Sequence, residues 1–144
     1  MEIHIEERES APLAVIIRCA REDAQVHRLR AYIAQFSGKI QAKNEKTTCL
    51  VEPSQVLWFE SVDDRTFLYT ADAVMEISHR LYELEEMLSG RDFLRISRSQ
   101  IVNLQKLTAL HPELNRTLTA TLCNGERLSV SRKYVPKLRE ILSI

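Results

Sequence analysis

The chain has 144 residues, 44% of them hydrophobic, with 20 Lys and Arg against 20 Asp and Glu, which fits one domain or one domain with an appendage. No apolar run reaches the roughly 18 residues of a membrane-spanning helix, and the acidic start MEIHIEERES does not resemble a signal peptide, so we expect a cytoplasmic protein. The scattered Cys19, Cys49 and Cys123 predict small buried side chains rather than a disulfide or metal site, and the four histidines show no ligand spacing.

The charges are distributed unevenly along the chain. Residues 1–90 hold 10 basic and 16 acidic side chains, whereas residues 91–144 hold 10 basic and only 4 acidic ones. Such asymmetry indicates an anion-binding carboxy-terminal part. The alternative is that the two parts pair with each other within one fold.

The first 37 residues predict a small strand–strand–helix appendage. Glu2–Glu7 alternates polar and apolar residues, and Leu13–Cys19 is a continuous apolar run typical of a buried strand. Asp23 can cap a helix that ends at Gly38, with an apolar stripe formed by Val26, Leu29, Ile33 and Phe36. We expect this stripe to pack on the appendage or on the following domain, or to form a dimer interface.

Residues 38–144 predict a second unit of short antiparallel strands with two helices, and hence a mainly β, α+β fold without βαβ alternation. Asn124-Gly125 is the strongest hairpin signal. One helix is expected around Leu81–Leu88, and a terminal helix starts between Lys133 and Pro136. The strands are expected at KIQAKNEKTTCLV, VLWFESV, TFLYT, Ala73–Ile77, FLRISRSQIVNL, Leu107–Leu110, RTLTATLC and Glu126–Val130.

Three polar clusters interrupt these apolar strands: Asp63–Thr66, Arg95–Gln100 and Ser131–Lys133. Arginine grips phosphate or a guanine edge through its planar fork, and hydroxyl groups bind phosphate oxygens. Loops that carry such residues on a stiff β scaffold can enter a DNA groove. The sequence has no glycine-rich phosphate loop and no zinc-protease or serine-hydrolase motif, so nothing in it predicts an enzyme.

Each cluster also has a purely structural interpretation. Asp63–Thr66 can be a polar turn, and Arg95 with Ser97 can be the solvated face of a strand. Ser131 can cap the last helix, with the basic residues after it as ordinary surface charge. Asn103, between two apolar residues, is expected to bond local backbone rather than a ligand.

The segments FLRISRSQIVNLQKL, TLCNGERLSVSRKYVPKLREIL and VLWFESVDDRTFLYT together resemble the LytTR DNA-binding domain of bacterial response regulators. The resemblance covers roughly Lys39–Ile144. It implies a domain of short antiparallel sheets that regulates transcription. Side chains on its loops would enter successive major grooves of double-stranded DNA, usually at direct repeats.

The resemblance also implies where DNA is contacted. Arg98 matches the main contact position in the polar kink, and Arg132 matches the strand-to-helix junction. The full implied set is Asp64, Arg65, Thr66, Ser97, Arg98, Ser99, Arg132, Lys133 and Tyr134. The chain departs from the family at Ser97, where members often carry His, and at Asp63 and Asp64, whose negative charge disfavours phosphate binding.

About 38 residues are too few for a receiver domain, so the chain resembles small stand-alone LytTR regulators. Those are often encoded beside a small membrane protein that restrains them. We therefore expect double-stranded DNA as the ligand, homodimers or paired binding on direct repeats, and restraint by a small membrane protein. No cofactor, metal or small-molecule substrate is expected. The alternative is a β-rich protein-interaction module or regulator subunit that does not bind DNA itself.

Overall fold

The computed structural model describes residues 1–144, apart from the side chains of residues 34, 35 and 37. Its helices are α1 (Ala24–Ser37), α2 (Leu81–Met87) and α3 (Val135–Leu142). Its strands are β1 (Ile40–Asn44), β2 (Thr47–Val51), β3 (Trp58–Val62), β4 (Arg65–Tyr69), β5 (Val74–Ile77), β6 (Phe93–Arg95), β7 (Gln100–Asn103), β8 (Leu107–Pro112), β9 (Leu118–Leu122) and β10 (Arg127–Val130). Within the described chain, none of the helices combines the length and apolar character needed to cross a bilayer.

The strands form two antiparallel sheets, which confirms the mainly β prediction. The larger sheet has the order β2-β1-β5-β4-β3-β7-β6, and the smaller one has the order β10-β9-β8. Neighbours along the chain are mostly neighbours in the sheet, because tight turns join them. One such turn places Gly125 at φ 88° between β9 and β10, as the Asn-Gly signal predicts.

The central strands β3 and β7 contribute to two separate cores. Phe59 and Ile101 face α2, whereas Trp58 and Val102 face the smaller sheet and α3. Successive side chains of a strand point to opposite faces, so a strand covered on both faces is apolar throughout rather than alternating. Each fully buried large apolar side chain contributes about 1.5–3 kcal/mol, so these two strands contribute to the stability of both cores.

Asn103 is a structural amide, as predicted. Its side chain is 2% exposed, and its Nδ2 donates to the Val56 carbonyl oxygen at 2.8 Å. Its Oδ1 accepts from the Gln105 amide at 3.1 Å. Donor and acceptor are both satisfied inside the protein, so this amide holds the end of β7 instead of facing a ligand.

The amino-terminal helix is confirmed, whereas the two strands predicted before it are wrong. The Asp23 side chain caps α1 by accepting from the Val26 amide at 3.0 Å. Residues 1–22 form no strand in the described structure, and Leu13 and Ile16 are 91% and 78% exposed. An apolar run becomes a buried strand only where a partner strand satisfies its backbone groups, and no described strand pairs with this run.

The prediction that all three cysteines are buried is also wrong. All three are free thiols, but Cys19 and Cys123 are exposed and only Cys49 is partly covered. Cys19 lies in the unpaired amino-terminal segment. Cys123 lies just past the end of β9, where the chain enters the hairpin turn.

Candidate nucleic-acid interface

The first predicted cluster forms the tip of the β3–β4 hairpin. Asp63 and Asp64 occupy its two turn positions with φ values of 50° and 63°, as in the turns that match the twist of a hairpin. Aspartate tolerates this left-handed conformation better than most residues. Both carboxylates are exposed, so the tip presents negative charge to its surroundings.

Arg65 and Thr66 lie within β4 rather than in the turn. The Arg65 guanidinium donates to both carboxylate oxygens of Glu76, at 2.9 and 2.7 Å, and lies 5.3 Å from the ring centre of Phe67. Thr66 is only 6% exposed, because alternate side chains of β4 point to the covered face of the sheet. The charge of Arg65 is thus balanced by Glu76 of β5, and the Thr66 side chain is buried and not accessible to DNA.

Glu76→Gln is expected to lower the melting temperature at neutral pH, with a difference from the native protein that shrinks at about pH 3. The two hydrogen bonds from Arg65 lower the Glu76 pKa below its ordinary 4.5. The pair therefore stabilises the fold above the ordinary pKa, and this contribution is lost as the pH falls through the lowered value.

Thermal melts at both pH values measure this, with Glu126→Gln as the control at an exposed acid that makes no ion pair among the described residues. A Glu76→Gln difference of equal size at both pH values would contradict the assignment.

The second predicted cluster forms a kink, residues 96–99, between β6 and β7. Ile96 is fully buried, whereas Arg98 is exposed, and its guanidinium has no hydrogen-bonded or ionic partner among the described residues. The Ser97 hydroxyl accepts from the Ser99 amide at 3.2 Å, which closes the bend. The kink therefore buries its start and presents Arg98 outward.

The interpretation of Arg95 as a solvated strand residue is wrong. Its side chain is 19% exposed and forms an ion pair with Glu85 of α2. It also donates to the carbonyl oxygens of Ser97 and Arg98. The sequence pattern missed this role, because nothing in the spacing of β6 reveals which carbonyls the returning chain will bring within reach.

The third predicted cluster is the junction, residues 131–134, between β10 and α3. Ser131 does not cap α3, since both its amide and its hydroxyl donate to the Ile96 carbonyl oxygen, at 2.9 and 3.3 Å. Arg132 and Lys133 are exposed. Tyr134 packs partly into the second core, with the Lys133 Nζ 5.5 Å from its ring centre.

The structure brings the three clusters to one edge of the protein. The pairing of Glu60 with Gln100 sets the tip end of β3 beside the start of β7. The Ser61 amide then donates to the Ser99 carbonyl oxygen at 2.8 Å. Together with the bonds from Ser131 to the kink, this arrangement places the tip, the kink and the junction side by side.

The electrostatics of this edge favour an anionic ligand at the kink and the junction. Of the 10 Lys and Arg in residues 91–144, only Arg95 pairs with a carboxylate in the described structure. The alternative in which the basic part is neutralised by the acidic part is therefore not supported. No group of three or more metal-binding side chains occurs among the described residues.

Comparisons with known proteins agree with this geometry. The sequence model of the LytTr DNA-binding domain matches residues 46–143. The fold matches the solved LytTr DNA-binding domain of a Bacillus cereus response regulator with a TM-score of 0.70 and 28% identity, over 74% of this chain and 97% of that one. The chain therefore belongs to the LytTR DNA-binding domain family.

Relatives among whole proteins carry regulatory names. The chain is 31% identical over 100 residues to a Staphylococcus aureus (strain NCTC 8325) protein described as an uncharacterized HTH-type transcriptional regulator, over 69% of this chain and 67% of that protein. It is 27% identical to the sensory transduction protein LytT of Bacillus subtilis (strain 168), over 66% of this chain and 39% of LytT. For the Enterococcus faecalis (strain V583) LytT the values are 30%, 75% and 45%. The chain thus spans less than half of these two LytT relatives.

Proposed function

We propose that the chain is a non-enzymatic regulator of transcription that reads a specific DNA sequence through the kink and the junction. The observation that carries this proposal is the pair of bonds from Ser131 to the Ile96 carbonyl oxygen. They fix Arg98 and Arg132, two exposed guanidiniums without carboxylate partners in the described structure, on neighbouring loops. Paired arginines at a fixed separation suit the guanine edges of a major groove.

The remaining predicted residues take supporting roles in this proposal. Lys133 and the hydroxyls of Ser97 and Ser99 would contact phosphates, because such contacts set the register of a protein on DNA. Tyr134 would keep the junction in place by packing its ring against the core under the smaller sheet. At the tip, the acidic Asp64 and the already paired Arg65 make a lesser contribution than the kink and the junction.

A salt titration tests the proposal. The probes are the duplex that the native protein enriches from a random-sequence library and an unselected duplex of the same length. For both duplexes, the logarithm of the association constant should fall linearly with the logarithm of the salt concentration. The selected duplex should bind more tightly at every salt concentration. Enrichment of no sequence, or equal affinity for the two duplexes, would contradict sequence-specific binding.

Lys133→Ala is expected to weaken both complexes and to reduce the magnitude of the salt slope by about 1, because one phosphate contact is lost. Lys46→Ala, at an exposed position in the turn between β1 and β2, is the matched control and should leave the slope unchanged. An unchanged slope for Lys133→Ala would remove this residue from the contact set.

We further propose that residues 1–37 form a separate unit, with 38–144 as the DNA-binding domain, and that the first unit joins two copies in the cytoplasm on direct repeats. Tyr32 and Phe36 of α1 are 67% and 87% exposed, and Leu13 and Ile16 add apolar surface in the same segment. Exposed apolar surface of this kind marks interaction sites. Sedimentation velocity of the full chain tests the pairing.

A small membrane protein would restrain the regulator, a proposal that is supported only by the resemblance to stand-alone LytTR regulators.

A further inference from the structure

The backbone carbonyls of the kink are all held by donors inside the protein. The Ile96 oxygen accepts from the Ser131 amide, and the Ser99 oxygen accepts from the Ser61 amide. Between them, the Ser97 and Arg98 oxygens both accept from the Arg95 guanidinium, from Nε at 2.7 Å and from Nη2 at 2.5 Å. One side chain therefore holds the carbonyl oxygens of both peptide groups in the middle of the kink, and the Ser97 hydroxyl holds the amide of the second.

The guanidinium is itself fixed on its far side. Its Nη1 donates to Glu85 Oε1 at 2.5 Å, so α2 anchors the group that holds the kink. Three nitrogens of one rigid, planar fork are thus used on three acceptors. A lysine at the same position would keep the charge, but its single nitrogen cannot reproduce this spacing.

The direction of these carbonyls determines what the kink presents to a ligand. In a trans peptide unit the C=O and the following N–H point in opposite directions. Since the Ser97 carbonyl faces Arg95, the Arg98 amide faces away from it, and that amide has no acceptor among the described residues. The negative ends of the kink's peptide groups are turned inward, and a free amide points outward beside the Arg98 side chain.

We propose that Arg95 is a positioning residue for DNA recognition, which holds the kink in the conformation that presents Arg98 and its amide to DNA without touching DNA itself. Glu85 is the anchor of this device. The inference rests on the proposed function, because it assigns Arg95 a role at the same interface. It adds a specificity-determining contact between α2 and the kink that lies behind the reading surface.

Arg95→Lys is expected to weaken binding to the selected duplex about tenfold, since a displaced recognition arginine loses one bidentate base contact. Binding to the unselected duplex at low salt should change less than about twofold, because the charge is kept. Arg127→Lys, on an exposed strand position without a described partner, is the matched control and should leave both affinities unchanged. Native affinities for Arg95→Lys, or an equal loss on both duplexes, would overturn the inference.

A double-mutant cycle with Arg98→Ala separates positioning from a general structural role. If Arg95 acts by placing Arg98, the double variant should bind the selected duplex only slightly more weakly than Arg98→Ala alone, and this small further loss would come from the displaced Arg98 amide. Additive losses would show that Arg95 acts independently and would overturn the inference. A native protein that enriches no duplex, or an Arg98→Ala variant with native affinity, would count against the proposed function instead.

Glu85→Gln covers the case in which Arg95→Lys does not fold. This variant keeps the Arg95 guanidinium and removes only the charge of its anchor, at a half-exposed position. Affinity for the selected duplex should fall about threefold, as expected for weakening one charge-assisted hydrogen bond, with no change on the unselected duplex. Unchanged affinity for the selected duplex would overturn the inference.

Discussion

Arg98→Ala is expected to reduce affinity for the selected duplex by about ten- to hundredfold, or ~1–3 kcal/mol, through loss of a bidentate base contact. The melting temperature should stay within about 2 °C of the native value, because exposed side chains without partners contribute little to stability. Arg98 is such a side chain, because it is exposed and its guanidinium contacts no acceptor in the described structure.

Fluorescence anisotropy with the selected and the unselected duplex measures the first effect, and circular dichroism melts measure the second. Arg127→Ala removes the same charge from an exposed strand position and should reduce both affinities slightly and equally. A large fall in melting temperature with little change in selectivity would mean that Arg98 is a structural residue.

Ile96→Ala is expected to lower the free energy of unfolding by about 2–5 kcal/mol, the usual cost of a cavity at a buried aliphatic position. Ile96 is 0% exposed and packs in the second core with residues of β9, β10 and α3. Its carbonyl oxygen is also the acceptor for Ser131, so loss of its packing loosens the contact between the kink and the junction.

Urea denaturation measures this loss, and Ile96→Val provides a graded control at about 0.5–1.5 kcal/mol. Equal and small losses for the two variants would show that the start of the kink is not packed between the two sheets. That result would remove the physical basis for a fixed arrangement of Arg98 and Arg132.

Local signals predicted most of the carboxy-terminal fold correctly. Turn chemistry at Asn124-Gly125 and the β-branched runs around it depend on neighbouring residues only, so the sequence carries them directly. The same holds for the Asp23 cap of α1. The amino-terminal run Leu13–Cys19 has equally strong β character but pairs with no described strand, and pairing is a tertiary property that composition does not contain.

The candidate site was predictable only in part, for a related reason. The polar interruption at residues 97–99 marks the kink, and the exposure of Arg98 follows from it. The inward direction of Thr66 depends on strand register, and the contacts of Arg95 depend on the position of α2 relative to the returning chain. A one-residue shift in register exchanges the faces of a strand, so such details require the folded structure.

Under the proposed function, the arrangement as a whole accounts for DNA binding by a protein with balanced charge. The acidic side chains are concentrated before residue 91, whereas the free cations of the kink and the junction meet at one edge of a rigid double-core scaffold. The local field at that edge, rather than the net charge, then determines the attraction of the duplex.

Backbone amide NMR of the full chain, titrated with the selected duplex, tests the central claim most directly. We expect the largest shift changes to cluster at the kink and the junction, with smaller changes at the hairpin tip and none along β2. Shift changes centred on β2, with none at the kink or the junction, would contradict a reading surface built from these three loops.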